Sequence, residues 1–366
     1  MNKLNEIFYQ FLPEFKVNKI AKYGSGHIND TYMVTIDDSE TTFIMQRVNH
    51  QIFPNVPELM NNIFGVTNHL KEKFEEMEGK DPNVNTLTFI NTLNGEKYHQ
   101  DDEGNYWRVM ATITPARSYD KVETEQQAFQ AGVGIGEFQA LLSDFDGSSL
   151  YEIIPNFHNM ETRLATFRET VKKDVVGRVR LAQEQIQFVE NRAEEMQTLV
   201  RLGKEGKLPI RVTHNDTKIN NVLLDENDEA LCVIDLDTVM PGFVHYDFGD
   251  AIRTSTNTGD EDDANLDNVE MDIKLFTAYT KGFLSKTASS LTPIEIEYLP
   301  LSARIMTFII GLRFITDYLD GDNYFKTHHE HHNLQRAKAQ FKLVSSMERQ
   351  FEEMQRVVQE EVTVKC

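Results

Sequence analysis

The stretch Val212–Gly242, "VTHNDTKINNVLLDENDEALCVIDLDTVMPG", sets His214, Asp216, Lys218, Asn221, Asp235 and Asp237 among apolar runs. It reads as a short strand ending at "RVTH", a polar loop, and a hairpin across "NVLLDENDEALCVIDLD". The hairpin tip at Asp225, Asn227 and Asp228 is an ordinary polar turn. Asp216 and Asp235 are different, because each abuts an apolar strand, where an unpaired carboxylate is costly.

These residue types suit one kind of chemistry. A carboxylate at Asp216, beside a strand end, can accept a proton from a hydroxyl nucleophile. The amide oxygen of Asn221, five residues on, can ligate a divalent cation, and a carboxylate at Asp235 can bridge that cation to phosphates. Lys218 can neutralise charge on a transferring phosphoryl group. A second stretch, "YGSGHINDTYMV" (23–34), places Gly24, Ser25 and Gly26 where backbone amides can approach phosphates between two strands.

Working outward, residues up to about 110 read as strands with one helix, "NVPELMNNIFGVTNHLKEKFEEM". "TTFIMQRV" and "YWRVMATI" are strands, and "NGEKYHQDDEGN" is a hairpin turn. Residues 122–203 read mainly as helices, as does the chain from Asp247 onward. This predicts an α+β chain of two lobes: a small β-rich lobe, 1–112, and a larger mainly helical lobe, 113–366, with a cleft between them. "TGDEDDANLDN" (258–268) reads as a solvated acidic loop, and "HHEHH" (328–332) as a helix start with exposed histidines rather than a metal tract.

Composition limits the partners. The 366 residues carry a net charge of −21, which argues against a duplex nucleic-acid binder. Two cysteines offer no disulfide framework, and the N-terminus lacks the apolar core of a signal peptide. No apolar run in the sequence approaches the ~18 residues of a membrane helix. A cytoplasmic protein is expected, acting as a monomer on small molecules, with neither nucleic acid nor membrane as partner.

Taken together, these strings resemble the aminoglycoside phosphotransferase-like branch of the protein-kinase fold. "HNDTKINN" resembles its catalytic loop, "VIDLD" its metal segment and "YDFGDAIR" its following acidic motif. Within that branch, "GHIN", "DYLDGDNYF" and "HNLQRA" resemble the sugar 1-kinases that phosphorylate the anomeric hydroxyl of N-acetylhexosamines. The resemblance implies a bilobal fold, ATP and Mg2+ as cofactors, and an amino sugar as acceptor. It implies Asp216 as base, with Lys218 assisting, and Asn221 and Asp235 as metal ligands, with Asp237 a further candidate. Gly24 to Gly26 would lie over the nucleotide phosphates, and His27, Arg313 and Tyr324, with Asp216, would bind the sugar. His214 and Asp247 would support the catalytic loop. Two plain structural roles compete at the sugar residues: Arg313 pairing with Asp317 four residues on, and Tyr324 in the core.

One departure stands out. Kinase-fold enzymes usually carry a lysine on the third strand for the α- and β-phosphates. "TTFIMQRV" offers Gln46 and Arg47 instead, and alternation lets one of them face the cleft. If Arg47 faces in, it would join the nucleotide-binding residues, with Glu58 as partner. If Gln46 does, metal and loop amides must hold more of the phosphate charge. Competing functions are a kinase of another small hydroxyl acceptor (an aminoglycoside, choline or homoserine) and a nucleotide-binding pseudokinase.

Overall fold

The computed structural model describes residues 3–24 and 28–363. A short helix α1 (Lys3–Phe8) precedes strands β1 (Val17–Lys22), β2 (Asp30–Ile36) and β3 (Thr42–Val48). Helix α2 (Val56–Glu75) follows, capped by Asn55, whose side chain accepts from the Glu58 amide, with Pro57 in the first turn. Then come α3 (Pro82–Asn85), β4 (Phe89–Ile90), β5 (His99–Gln100) and β6 (Tyr106–Ala111). The strands form one antiparallel sheet in the order β1-β2-β3-β6-β4, with β5 pairing the start of β6.

Alternation gives this sheet two working faces. Val34, Phe43, Met45, Trp107 and Val109 bury one face under α1, with Phe8 and Phe11. The other face presents Ile44, Gln46, Val48, Arg108 and Met110 toward α2 and the cleft. Core packing does not stop at the end of the sheet. The α2 residues Leu59, Met60 and Ile63 share one buried cluster with residues of the larger lobe. Asn62, 1% exposed, ties α2 across by donating to the carbonyls of Tyr151 and Val239 and accepting from the Tyr151 amide.

The larger lobe begins with α4 (Glu125–Leu141), α5 (Met160–Lys173), α6 (Gln183–Met196) and α7 (Thr198–Lys204). Strand β7 (Arg211–Thr213) pairs antiparallel with β10 (Met240–Gly242), and between them β8 (Val222–Leu224) and β9 (Ala230–Val233) form the expected hairpin. Helices α8 (Val244–Ser255), α9 (Ile273–Thr287), α10 (Pro293–Asp320), α11 (His332–Arg349) and α12 (Phe351–Thr363) complete the chain. Helices α4 and α9 cross backbone to backbone: a Cβ on Gly132 would lie 2.2 Å from the Tyr279 carbonyl oxygen, and one on Gly282 2.0 Å from that of Phe129.

Helix α10 is long and apolar enough, by mean hydropathy, to cross a membrane, although charged residues such as Arg304 and Arg313 break its apolar runs; 83% of its most apolar window is buried inside the protein, as in a core helix. Two expectations need correction. The acidic run is not simply solvated, since Glu261 pairs with the buried Arg253 and Asp262 with His332. Helix α11 does start within "HHEHH", but His332 is buried at 2% exposure rather than exposed. Among the described residues, no group of three or more His, Cys, Asp or Glu converges as a ready metal cage.

Candidate active site

The loop after β7 is fixed from below. Asp247, on α8, is fully buried and accepts from the backbone amides of His214 and Asn215, each at 2.8 Å, and from Gln139 Nε2 on α4 at 2.5 Å. Burial pushes its carboxyl pKa up, against these donors and His214. Asn215 can then hold φ +66°, a left-handed conformation that asparagine tolerates, with its side chain donating to the carbonyls of Thr213 and Thr238. His214 donates from Nε2 to the Ile234 carbonyl at 2.8 Å and accepts the Asp216 amide at Nδ1, which links the loop to the segment leading into Asp235. Asp250, one turn after Asp247, accepts the Thr217 amide at 3.1 Å and pairs with Arg253.

On this base, Asp216 reaches the cleft half-buried. Lys218 Nζ lies 3.1 Å from one of its oxygens, and Asn221 Nδ2 lies 3.3 Å from the other and 2.8 Å from its backbone carbonyl. The negative charge of Asp216 holds the Lys218 ammonium above its ordinary pKa. With its nitrogen spent on Asp216, Asn221 has its side-chain oxygen left as the ligating atom.

Asp235 also adopts a left-handed conformation, φ 60° and ψ 60°, at the end of the hairpin. Asp235 is exposed, and its side chain has no hydrogen-bond partner among the described residues. The protein packed behind it, with the negative charges of Asp237 and Asp216, pushes its pKa up to about 6. An unpartnered carboxylate that feels the charges of Asp216 and Asp237 is chemically suited to help hold a divalent cation.

The phosphate end of the cleft departs from expectation. Arg47 lies on the face opposite Gln46 and is engaged with Asp30 at the surface, so the reading that put Arg47 toward the nucleotide is corrected: alternation sends it to the far side of the sheet. Gln46 faces in and accepts from Arg108 Nε and Nη2 at 2.9 and 2.8 Å. Arg108, its neighbour across β6, is 3% exposed and donates to Asp237 at 2.5 Å. Asp237 also accepts from Asn29 at 2.6 Å, at the far end of the glycine segment. Gly24 takes φ +75°, a conformation that favours glycine. Ser25, Gly26 and His27 lie outside the described residues.

Where an acceptor is expected, Arg313 has no carboxylate within ion-pair distance among the described residues, and the expected alternative of pairing with Asp317 does not hold. Asp317 is occupied by the amides of Tyr324 and Phe325 and by Asn333. Tyr324 is 64% exposed rather than core, with its hydroxyl 3.5 Å from Arg313. The Arg313 guanidinium lies against the rings of Phe157, Tyr324 and Phe325. Desolvation, and then its neighbour Arg313, push the Arg163 pKa down to about 10. Arg163 makes no ion pair of its own among the described residues and donates to the Phe157 carbonyl. His158, 6% exposed, sits between Phe157 and Tyr246, close enough to Asp250 and Arg313 to feel both charges, and so joins this cluster to the catalytic loop.

The sequence reading did not single out Arg108, Gln139, His158, Arg163 or Asp250. Arg108 carried a signal, since a charged residue inside the apolar run "YWRVMATI" needs a buried partner. Gln139 and His158 carried none.

Comparison with known proteins agrees with this architecture. A family model described as "Phosphotransferase enzyme family" matches residues 19–273. An aminoglycoside phosphotransferase from Alicyclobacillus acidocaldarius superposes with a TM-score of 0.62 at 12% identity, covering 95% of this chain and 96% of its own. A choline kinase from Cryptosporidium parvum gives 0.58 at 13% identity, covering 96% and 93%. A spectinomycin phosphotransferase, solved with ADP and spectinomycin, gives 0.57 at 12% identity, covering 96% and 99%. At these identities the likeness is one of fold: the bilobal, protein-kinase-like arrangement of a β-sheet lobe on a helical lobe.

Proposed function

Because this chain belongs to the phosphotransferase enzyme family, we propose that it is an ATP-dependent kinase of a small hydroxyl acceptor, and that the acceptor is an N-acetylhexosamine phosphorylated at its anomeric hydroxyl. Asp216 accepts the proton of the attacking hydroxyl, and its loop is held still by Asp247 and Asp250 so that little reorganisation accompanies the reaction. Lys218, against Asp216, offsets charge that develops on the phosphoryl oxygens. Asn221 and Asp235 would hold magnesium, which when bound would supply neutralisation of phosphate charge. These three carboxylate and amide groups, all intact, favour turnover over a pseudokinase.

The observation that carries the choice of acceptor is the pair of guanidiniums, Arg163 and Arg313, linked to the Asp216 loop through His158 and with no ion-pair partner among the described residues. Choline and aminoglycosides are cationic and would be repelled there. A neutral sugar offers hydroxyl and acetamido oxygens, which a guanidinium and a tyrosine hydroxyl can meet. The acidic run that could have drawn a polycation has Glu261 and Asp262 committed to Arg253 and His332. His27, assigned to the sugar by sequence resemblance alone, lies outside the described residues.

The test is product identification by NMR after incubation with ATP, magnesium and, separately, N-acetylglucosamine, N-acetylgalactosamine, glucose, galactose, choline and spectinomycin. Sugar 1-phosphates from the N-acetylated pair are expected. Turnover of choline or spectinomycin with none of either N-acetylhexosamine would sink the acceptor assignment and leave the kinase assignment standing.

A further inference from the structure

The cleft lacks the strand lysine that ordinarily meets the α- and β-phosphates, yet its carboxylates Asp216, Asp235 and Asp237 make it strongly negative where a polyanion has to bind. A cation must come from elsewhere, and the sheet provides one in register. Thr31, Gln46 and Arg108 lie side by side on β2, β3 and β6, in the row at the end of the sheet nearest the glycine segment. Gln46 donates to Thr31 and accepts two bonds from Arg108, so the guanidinium is held in one orientation. Of its five N–H bonds, two serve Gln46 and one serves Asp237. Among the described residues, one on Nη2 has no partner, and the second on Nη1 has only the Met60 sulfur at 3.9 Å. Asp237 in turn accepts from Asn29, just before β2, which ties the guanidinium to the end of the cleft where β2 begins.

The geometry points to Arg108 as the phosphate-binding cation of this cleft, reaching from the neighbouring strand in place of the missing lysine, with Gln46 orienting it and Asp237 as the counter-charge that a nucleotide phosphate shares or replaces. A planar, permanently charged fork with spare donors suits that role, since guanidinium and phosphate match in both charge and geometry. The inference rests on the nucleotide reading above only in that a nucleotide binds.

The experiment is calorimetric titration with ADP and with adenosine, without acceptor, on the native chain, Arg108→Met, and Arg108→Met combined with Gln46→Lys. ADP affinity should fall about 10- to 100-fold in Arg108→Met, the size of a lost hydrogen bond to a charged group, while adenosine affinity stays within about threefold of native. Returning the cation to the third strand with Gln46→Lys should recover most of the ADP affinity. Arg108→Met leaves Asp237 buried without its partner and can fail to fold. Arg108→Gln with Asp237→Asn removes both charges, and in magnesium-free buffer it should show the same selective loss of ADP. Equal losses for ADP and adenosine, or unchanged ADP affinity in folded variants, would overturn the assignment. A native chain that binds no ADP would instead overturn the nucleotide reading, and this inference with it.

Discussion

Replacing Asp247 tests whether the catalytic loop is held from below as described. Its two oxygens serve three donors: Oδ2 takes His214 N and Gln139 Nε2, and Oδ1 takes Asn215 N. Asparagine can satisfy one side. Its oxygen in the Oδ2 position keeps two donors, and its amide nitrogen then faces the Asn215 N–H, donor against donor. Alanine leaves both backbone N–H groups without a partner in a site with no solvent access. Each buried unmet donor costs about 1–3 kcal/mol. Burial also pushes the Asp247 carboxyl pKa up, so removing its charge returns part of that cost. The net expectation is a loss of roughly 1–2 kcal/mol for Asp247→Asn and roughly 2–4 kcal/mol for Asp247→Ala, in that order. Urea unfolding followed by circular dichroism measures it, reading the midpoint at constant slope. Turnover should fall in both variants, because Asn215 needs its amide held to keep the left-handed turn that presents Asp216. An Asp247→Ala protein within about 0.5 kcal/mol of native, the range of an ordinary surface substitution, would refute the account of how the loop is braced.

Further predictions concern the base, the pH response and the helix crossing. Asp216→Asn should lower kcat by about 10²- to 10⁴-fold with an unchanged melting temperature; near-native turnover would exclude it as the base. His245 is fully buried and donates to the Glu295 carbonyl, and desolvation pushes its pKa down to about 4 from an ordinary 6.5; His158 is pushed down to about 3 by the same cause. Both are neutral when folded and charge more readily when unfolded, so stability is full above pH 6.5 and is lost as pH falls toward 4. Each histidine removes roughly 2 kcal/mol between pH 8 and pH 5, and His245→Gln should remove about half of the combined slope; a flat stability profile over that window would contradict the burial argument. Gly282→Ala should destabilise by about 3 kcal/mol or prevent folding, since its Cβ would meet backbone rather than a yielding side chain; a melting temperature equal to native would show that the crossing can relax.

How much of this was readable beforehand depended on the range of the interaction. The two-lobe order, the β8–β9 hairpin and the helical run after Thr124 follow from local periodicity and turn chemistry, and the structure has them. The loop motif placed Asp216, Asn221 and Lys218 in one short segment, and the structure brings their polar atoms within 3.3 Å. What alternation left open at Gln46 and Arg47 turned on a register set by β6, far along the chain. Arg108 could have been suspected, because a guanidinium inside an apolar strand demands a partner, but naming Asp237 required the fold. The acidic run misled for the complementary reason. Its composition is that of a solvated loop, and only the tertiary position of Arg253 and His332 gives two of its carboxylates buried partners. Helix α10 shows the same limit, since apolar length does not say whether lipid or protein surrounds it.

The glycine crossing of α4 and α9 divides the molecule by how freely it can vary. Gly132 and Gly282 admit no larger residue without parting two helices, and α4 carries the Gln139 that holds Asp247. Selection for a new acceptor therefore has little room along that axis. The residues proposed to face the acceptor sit elsewhere: Phe157 and Arg163 at the entrance to α5, Arg313 in the second half of α10, and Tyr324 in the loop after it. None of those positions hydrogen-bonds Asp247 or the Asp216 loop among the described residues, and Phe157 and Arg313 reach it only through His158. A library restricted to them explores substrate range on a constant engine, whereas one that includes the crossing mostly samples unfolded chains.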